Sequence, residues 1–161
     1  MSLRSFAAFA VVSCLSAPAL AAPATVDVAK FEAPGGITKL QSALSQYQAQ
    51  RATLDKEYAR LQEQRIKLVR MEKPNPRIAQ LETRIQAIQT EFQRLRETIV
   101  IPVELEVRDR LIAYANANGY IPLIDVGAPQ ATAQIEALGA AGETPEDITA
   151  TFIALVNAAT P

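Results

Sequence analysis

Apolar residues between positions 37 and 99 recur at alternating spacings of three and four, and the pattern is split once, at Lys73-Pro74-Asn75-Pro76-Arg77. Before the split, Ile37, Leu40, Leu44, Tyr47, Leu54, Tyr58, Leu61 and Leu68 share one register, with Arg51 and Arg65 at its two remaining positions. After it, Ile78, Leu81, Ile85, Ile88, Phe92, Leu95 and Ile99 hold the same register without a polar interruption. Such a stripe is the seam by which two helices wind round each other left-handedly, so the chain is expected to form a long antiparallel coiled-coil hairpin. The first arm should run from about Ile37 to Pro74, roughly 36 residues or about 54 Å. Asn75 followed by Pro76 reads as a side-chain cap with proline at the first helical position, where no amide hydrogen is needed. The tip then falls at residues 73–77.

The two seam arginines put charge where a partner helix is expected, and burying it unpaired is costly. Two arrangements remain open. Arg51 and Arg65 either keep the arm splayed, or lay their stems over apolar neighbours and send their heads to water.

Shorter signals flank the hairpin. Thr25 to Phe31 alternates like a half-buried strand, and Pro34-Gly35-Gly36 ends it. Pro102 predicts a kink, or a break and restart, in the second arm. The helical pattern resumes at Val107, Leu111 and Tyr114 and stops near Asn118-Gly119. Tyr120 to Val126 reads as a second strand paired with the first, with Pro122 confining it to an edge or an entry position. Residues 129–138 favour a short helix, 139–142 a loop. A last helix is expected to open at Thr144-Pro145-Glu146-Asp147 and to bury Ile148, Phe152, Leu155 and Val156.

The expected fold class is mainly α with a small β part: a hairpin arm over residues 37–118 projecting from a strand-containing body of residues 22–36 and 119–161. Two strands alone are marginal in water. The body should therefore be completed by further copies, with Val26, Val28, Phe31, Leu123 and Ile124 as candidate oligomerisation residues.

Residues 1–21 read as a secretory signal, with Arg4 as the positive start, Phe6 to Leu15 as the apolar run and Ala19-Leu20-Ala21 as the cleavage pattern. Export to a periplasm is expected, leaving 140 residues. Val11-Val12-Ser13-Cys14 also resembles a lipobox, which would anchor the chain through Cys14. Ordinary cleavage would remove that residue, the chain's one cysteine.

Removal of the signal leaves 15 basic and 17 acidic residues, so overall charge points to no nucleic-acid partner. The distribution says more. Residues 65–77 carry Arg65, Lys67, Arg70, Lys73 and Arg77 against Glu72 alone, a candidate basic tip for clients or an anionic membrane surface. The last 43 residues carry five acids and no base. The sequence has no histidine, which removes the commonest general base and metal ligand. Ser42 and Ser45 lie on a predicted helix with no partner base, so no enzyme activity, catalytic residue, metal or cofactor is expected.

The order of elements resembles the Skp/OmpH family of periplasmic chaperones. The likeness is carried by Val26-Asp27-Val28-Ala29-Lys30-Phe31, by Gly119-Tyr120 with Leu123-Ile124-Asp125, and by Asp147-Ile148-Thr149 with Leu155 and Asn157. It implies a homotrimer whose strands form a shared body, with hairpins around a cavity that holds unfolded exported or outer-membrane proteins without ATP. It also implies a third strand between Asp125 and Asp147, where the residues read as an Ala-rich helix. The competing expectation is a structural coiled-coil adaptor that docks envelope components.

Overall fold

The computed structural model describes residues 21–70 and 75–159. The expected signal, Cys14, Lys73 and Pro74 lie outside the described residues. The chain is mostly helical with one small parallel sheet. Its elements are β1 (Ala22–Val26), α1 (Ala29–Glu32), α2 (Thr38–Val69), α3 (Arg77–Leu95), α4 (Ile101–Asn118), β2 (Tyr120–Asp125), α5 (Ala131–Ala140), β3 (Glu146–Asp147) and α6 (Thr149–Ala158). A π-helical turn, Arg96–Val100, joins α3 to α4.

Two compact units partition the chain: one combines the segments before Lys39 and after Glu106, the other is Lys39–Glu106. Residues 107–118, expected in the arm, thus belong with the strands.

In the first unit the sheet order is β2-β1-β3, all parallel. Val26 pairs with Asp125 and Thr25 with both Ile124 and Asp147. The ladder to β2 is irregular between Ala22 and Ala24, where β1 carries Pro23 and β2 carries Pro122; neither proline has an N–H to donate. As the central strand, β1 is buried from Pro23 to Val26, the pattern expected of a parallel strand covered on both faces.

The first strand therefore lies earlier than the alternation predicts. Asp27 ends it by accepting the N–H of Ala29 on its side chain at 3.1 Å and that of Lys30 on its carbonyl at 3.1 Å. That turn starts α1 and takes Val28 and Phe31 out of the strand. Phe31 instead packs on Phe152, ring centroids 5.4 Å apart, and Tyr114 stacks on the same Phe152 at 5.9 Å. Ile37, Leu111, Ile124, Ile148 and Val156 complete this core.

The carboxyl-terminal region also differs from expectation. Glu146–Asp147 forms β3 rather than the start of a helix, because the Thr25 carbonyl accepts the Ile148 N–H at 3.0 Å. Asp147 Oδ1 then accepts the Thr149 N–H at 3.0 Å, so α6 opens at Thr149. Residues 131–140 are helical, as their composition predicts, and the third strand lies after them, at Glu146–Asp147, where the start of the last helix was expected.

In the second unit α2 and α3 form a helical hairpin. Leu61, Ile85 and Ile88 make its buried centre, with Leu54, Tyr58, Leu81 and Phe92 half-buried around them. Asn75 caps the second arm as expected, accepting the Arg77 N–H on Oδ1 at 2.9 Å. Pro102 does not break the chain's helical course. Ile101 donates its N–H to the carbonyl of Arg96, five residues back, and this wider turn absorbs the hydrogen bond a proline cannot make.

Candidate functional site

Three segments widely separated in the sequence meet through side-chain hydrogen bonds in the first unit. The backbone N–H of Asp27 donates to Thr149 Oγ1 at 2.9 Å, and Thr149 Oγ1 donates to Asp147 Oδ1 at 2.6 Å. That hydroxyl holds the Asp147 carboxyl below the usual range, helped by the Thr149 N–H. Asp125 Oδ1 accepts the N–H of Gly127 at 3.0 Å and that of Val28 at 3.5 Å. Asn157 spans the start of α2: its Nδ2 donates to the Gly36 carbonyl at 2.9 Å and its Oδ1 accepts the Thr38 N–H at 2.9 Å. Tyr120 of β2 donates its hydroxyl to Glu146 of β3, on the other side of the central strand, at 3.0 Å, which raises the phenol's pKa.

The candidate oligomerisation residues are not a free surface. Val26, Phe31 and Ile124 are only 2–3% exposed within the single chain, so they form its own core; Val28 and Leu123 are half-buried. The reason is the third strand and α6, which cover what a two-stranded sheet would leave open. The large apolar residues that are exposed here are Ile121, Val126 and Leu155. For Ile121 the signal was present, since alternation about the buried Ile124 puts it on the opposite face.

At the hairpin, the seam arginines join the arms. The Arg51 guanidinium lies 4.6 Å from the centroid of Phe92 and donates to Asp55 at 3.2 Å and to the Tyr47 hydroxyl at 3.2 Å. Arg65 pairs with Glu82 across the hairpin at 2.9 Å. Both heads reach solvent, as the stem-over-apolar arrangement requires. A further cross-arm pair, Arg84–Glu57 at 2.9 Å, holds the Glu57 carboxyl below its ordinary range.

The basic-tip residues therefore have different surroundings. Arg65 is committed to Glu82 and Lys67 to Glu63 at 2.7 Å. Arg70 and Arg77 are exposed and have no ion-pair partner among the described residues. Ile66 and Val69, outside the seam register, are 47% and 53% exposed beside them.

Near the π turn, Glu104 is largely buried and meets Arg96 at 3.5 Å. Burial raises the pKa of Glu104, and the long contact to Arg96 offsets it only in part. Among the described residues no group of three or more His, Cys, Asp or Glu is placed to hold a metal ion, and no helix is long and apolar enough to cross a membrane. No protein-family model, curated protein or solved structure matches the chain.

Proposed function

We propose that the protein is an ATP-independent holdase of the Skp/OmpH type, exported to the periplasm, which keeps unfolded exported or outer-membrane proteins from aggregating. In this reading the hairpin is an antiparallel coiled coil, copies of the chain associate as a trimer, and clients lie between the arms.

The observation that carries the proposal is the meeting of the three resembling segments. Val26–Phe31 is tied to the Asp147–Thr149 segment by the Asp27–Thr149 bond and to Asp125 by the Val28 N–H. Asn157 is tied to Gly36 and Thr38. Between the first of these segments and Gly119 the chain inserts the whole hairpin. The exposed Ile66 and Val69 among the charged side chains of the hairpin offer mixed apolar and charged surface, which suits weak contact with many different unfolded chains. Self-association is favoured by the exposed Ile121 beside the outer edge of β2, since open strand edges pair readily.

The test is the mass of the chain without residues 1–21, by light scattering after size exclusion, with and without a urea-unfolded outer-membrane β-barrel protein. A trimer that takes up one unfolded barrel and suppresses its aggregation is expected. A monomer that leaves the aggregation unchanged overturns the proposal, and stable co-purification with one folded envelope protein would favour the adaptor.

A further inference from the structure

Lys56, Arg60, Glu63, Lys67 and Arg70 repeat at spacings of four, three, four and three. This is the rhythm of the seam positions Leu54, Tyr58, Leu61, Arg65 and Leu68, shifted by two residues. Two residues turn an α-helix by about 200°, so the stripe lies on the face of α2 turned away from α3. All five side chains are exposed. Arg70 keeps the helical register just past the end of α2, its N–H bonded to the Ile66 carbonyl at 3.1 Å. Glu63 is neutralised by Lys67 and Arg60 acts on the Glu57 carboxylate, whereas Lys56 and Arg70 have no ion-pair partner among the described residues. The result is a basic line about 21 Å long, flanked by the exposed Ile66 and Val69.

We propose that this outer face of α2 docks on the acidic carboxyl-terminal part of a second copy of the chain. Charge complementarity points to that occupant. Residues 39–106 hold 12 basic and 9 acidic side chains, whereas residues 22–38 and 107–161 together hold 3 and 8. From residue 119 onward there is no Lys or Arg to repel the stripe, and Glu136 and Glu143 are exposed on and just after α5. Val126 and Leu155, 43% and 50% exposed, are apolar side chains of the same lysine- and arginine-free stretch of sequence and would match Ile66 and Val69. The contact is head-to-tail, the same two unlike surfaces on every copy, and so adds association beyond a closed oligomer. It goes beyond the holdase reading, which needs no contact between one assembly's arm and another's body.

Sedimentation velocity of the protein without residues 1–21 tests it at low and at about 0.3 M salt, where charges are screened beyond several ångströms. The mean mass should at least double at low salt and return to that of the basal oligomer at high salt. The variant K56E/R60E/K67E/R70E should stay at the basal mass at low salt, as should E136K/E143K. A mixture of the two should associate again, because the swapped charges match. Equal masses at both salts, salt-dependent association that persists in the stripe variant, or a mixture that stays dissociated would each overturn the proposal. So would a stripe needed only for binding vesicles of anionic phospholipid. Circular dichroism of each variant checks that these exposed substitutions leave the helices intact.

Discussion

Asn157, near the end of α6, caps Thr38 at the first turn of α2: its side-chain oxygen accepts the Thr38 N–H at 2.9 Å while its amide donates to Gly36 at the same distance. Helix starts ordinarily find such an acceptor one residue upstream. Here Gly36 and Ile37 precede the helix and neither has a polar side chain, so the acceptor comes from 119 residues away.

Asn157→Ala is expected to cost about 1–2 kcal/mol, the range for a lost helix cap. Asn157→Asp, which keeps the acceptor and loses the donor, should fall between the variant and the parent. Urea unfolding measures the difference, and hydrogen exchange at Thr38 should accelerate in Asn157→Ala well before global unfolding.

Gly36 and Gly35 should respond differently to alanine. A Cβ on Gly36 would run into the backbone carbonyl oxygens of Lys30 and Phe31, groups that cannot swing aside. Gly35 has open space around it, but its φ of +84° is unfavourable for alanine. Gly35→Ala should cost about 1–2 kcal/mol, and Gly36→Ala clearly more, read as a larger fall in the unfolding midpoint. Equal effects would show that backbone crowding at Gly36 relaxes freely.

Arg51 and Phe92 join the two arms through a cation–π contact with a centroid distance of 4.6 Å. A double-mutant cycle with Arg51→Ala and Phe92→Ala should return a coupling of about 0.5–1 kcal/mol in favour of the pair, as for a partly exposed contact of this kind. A coupling near zero would mean that the arginine merely overlies the ring.

Glu104 predicts a pH dependence. Burial raises its folded-state pKa above that of the unfolded chain. As a result, the folded state holds the proton more tightly, and the stability linked to it is fully present below the unfolded pKa and lost as pH rises through the folded one. Glu104→Gln, which stays neutral, should therefore gain stability over the parent at neutral pH, and the gap should close in acid. Thermal unfolding of both proteins between pH 4 and pH 7 measures it. Asp147 has the opposite sign: its lowered pKa gives stability above the unfolded value that is lost as pH falls through the folded one.

The hairpin was legible in the sequence because its signal is local: the three-four spacing of Leu54, Tyr58, Leu61, Ile85 and Ile88 needs only neighbouring turns to be recognised. Its capping Asn75 was legible for the same reason. The π turn was not, because a rule about Pro102 describes regular α-helix and says nothing of a wider turn that removes the clash. Nor was β3, since two residues have no periodicity and Glu146–Asp147 becomes a strand only by pairing with β1. The displacement of the first strand has a similar cause. Ala22–Val26 is covered on both faces, so it shows no alternation, and its proline and alanines read poorly as strand. At the candidate oligomerisation surface, burial beneath α6 was invisible until α6 had a position.

The sheet joins residues that leave the ribosome far apart in time. Thr25 Oγ1 bonds the carbonyl of Glu146 across 121 residues of chain, and the central strand is the first of the three to be made. During synthesis β1 must therefore wait, unpaired, while the local hairpin is free to form from its own turns. Until β2 has emerged the central strand has no partner in the sheet, and until β3 follows its second edge stays open.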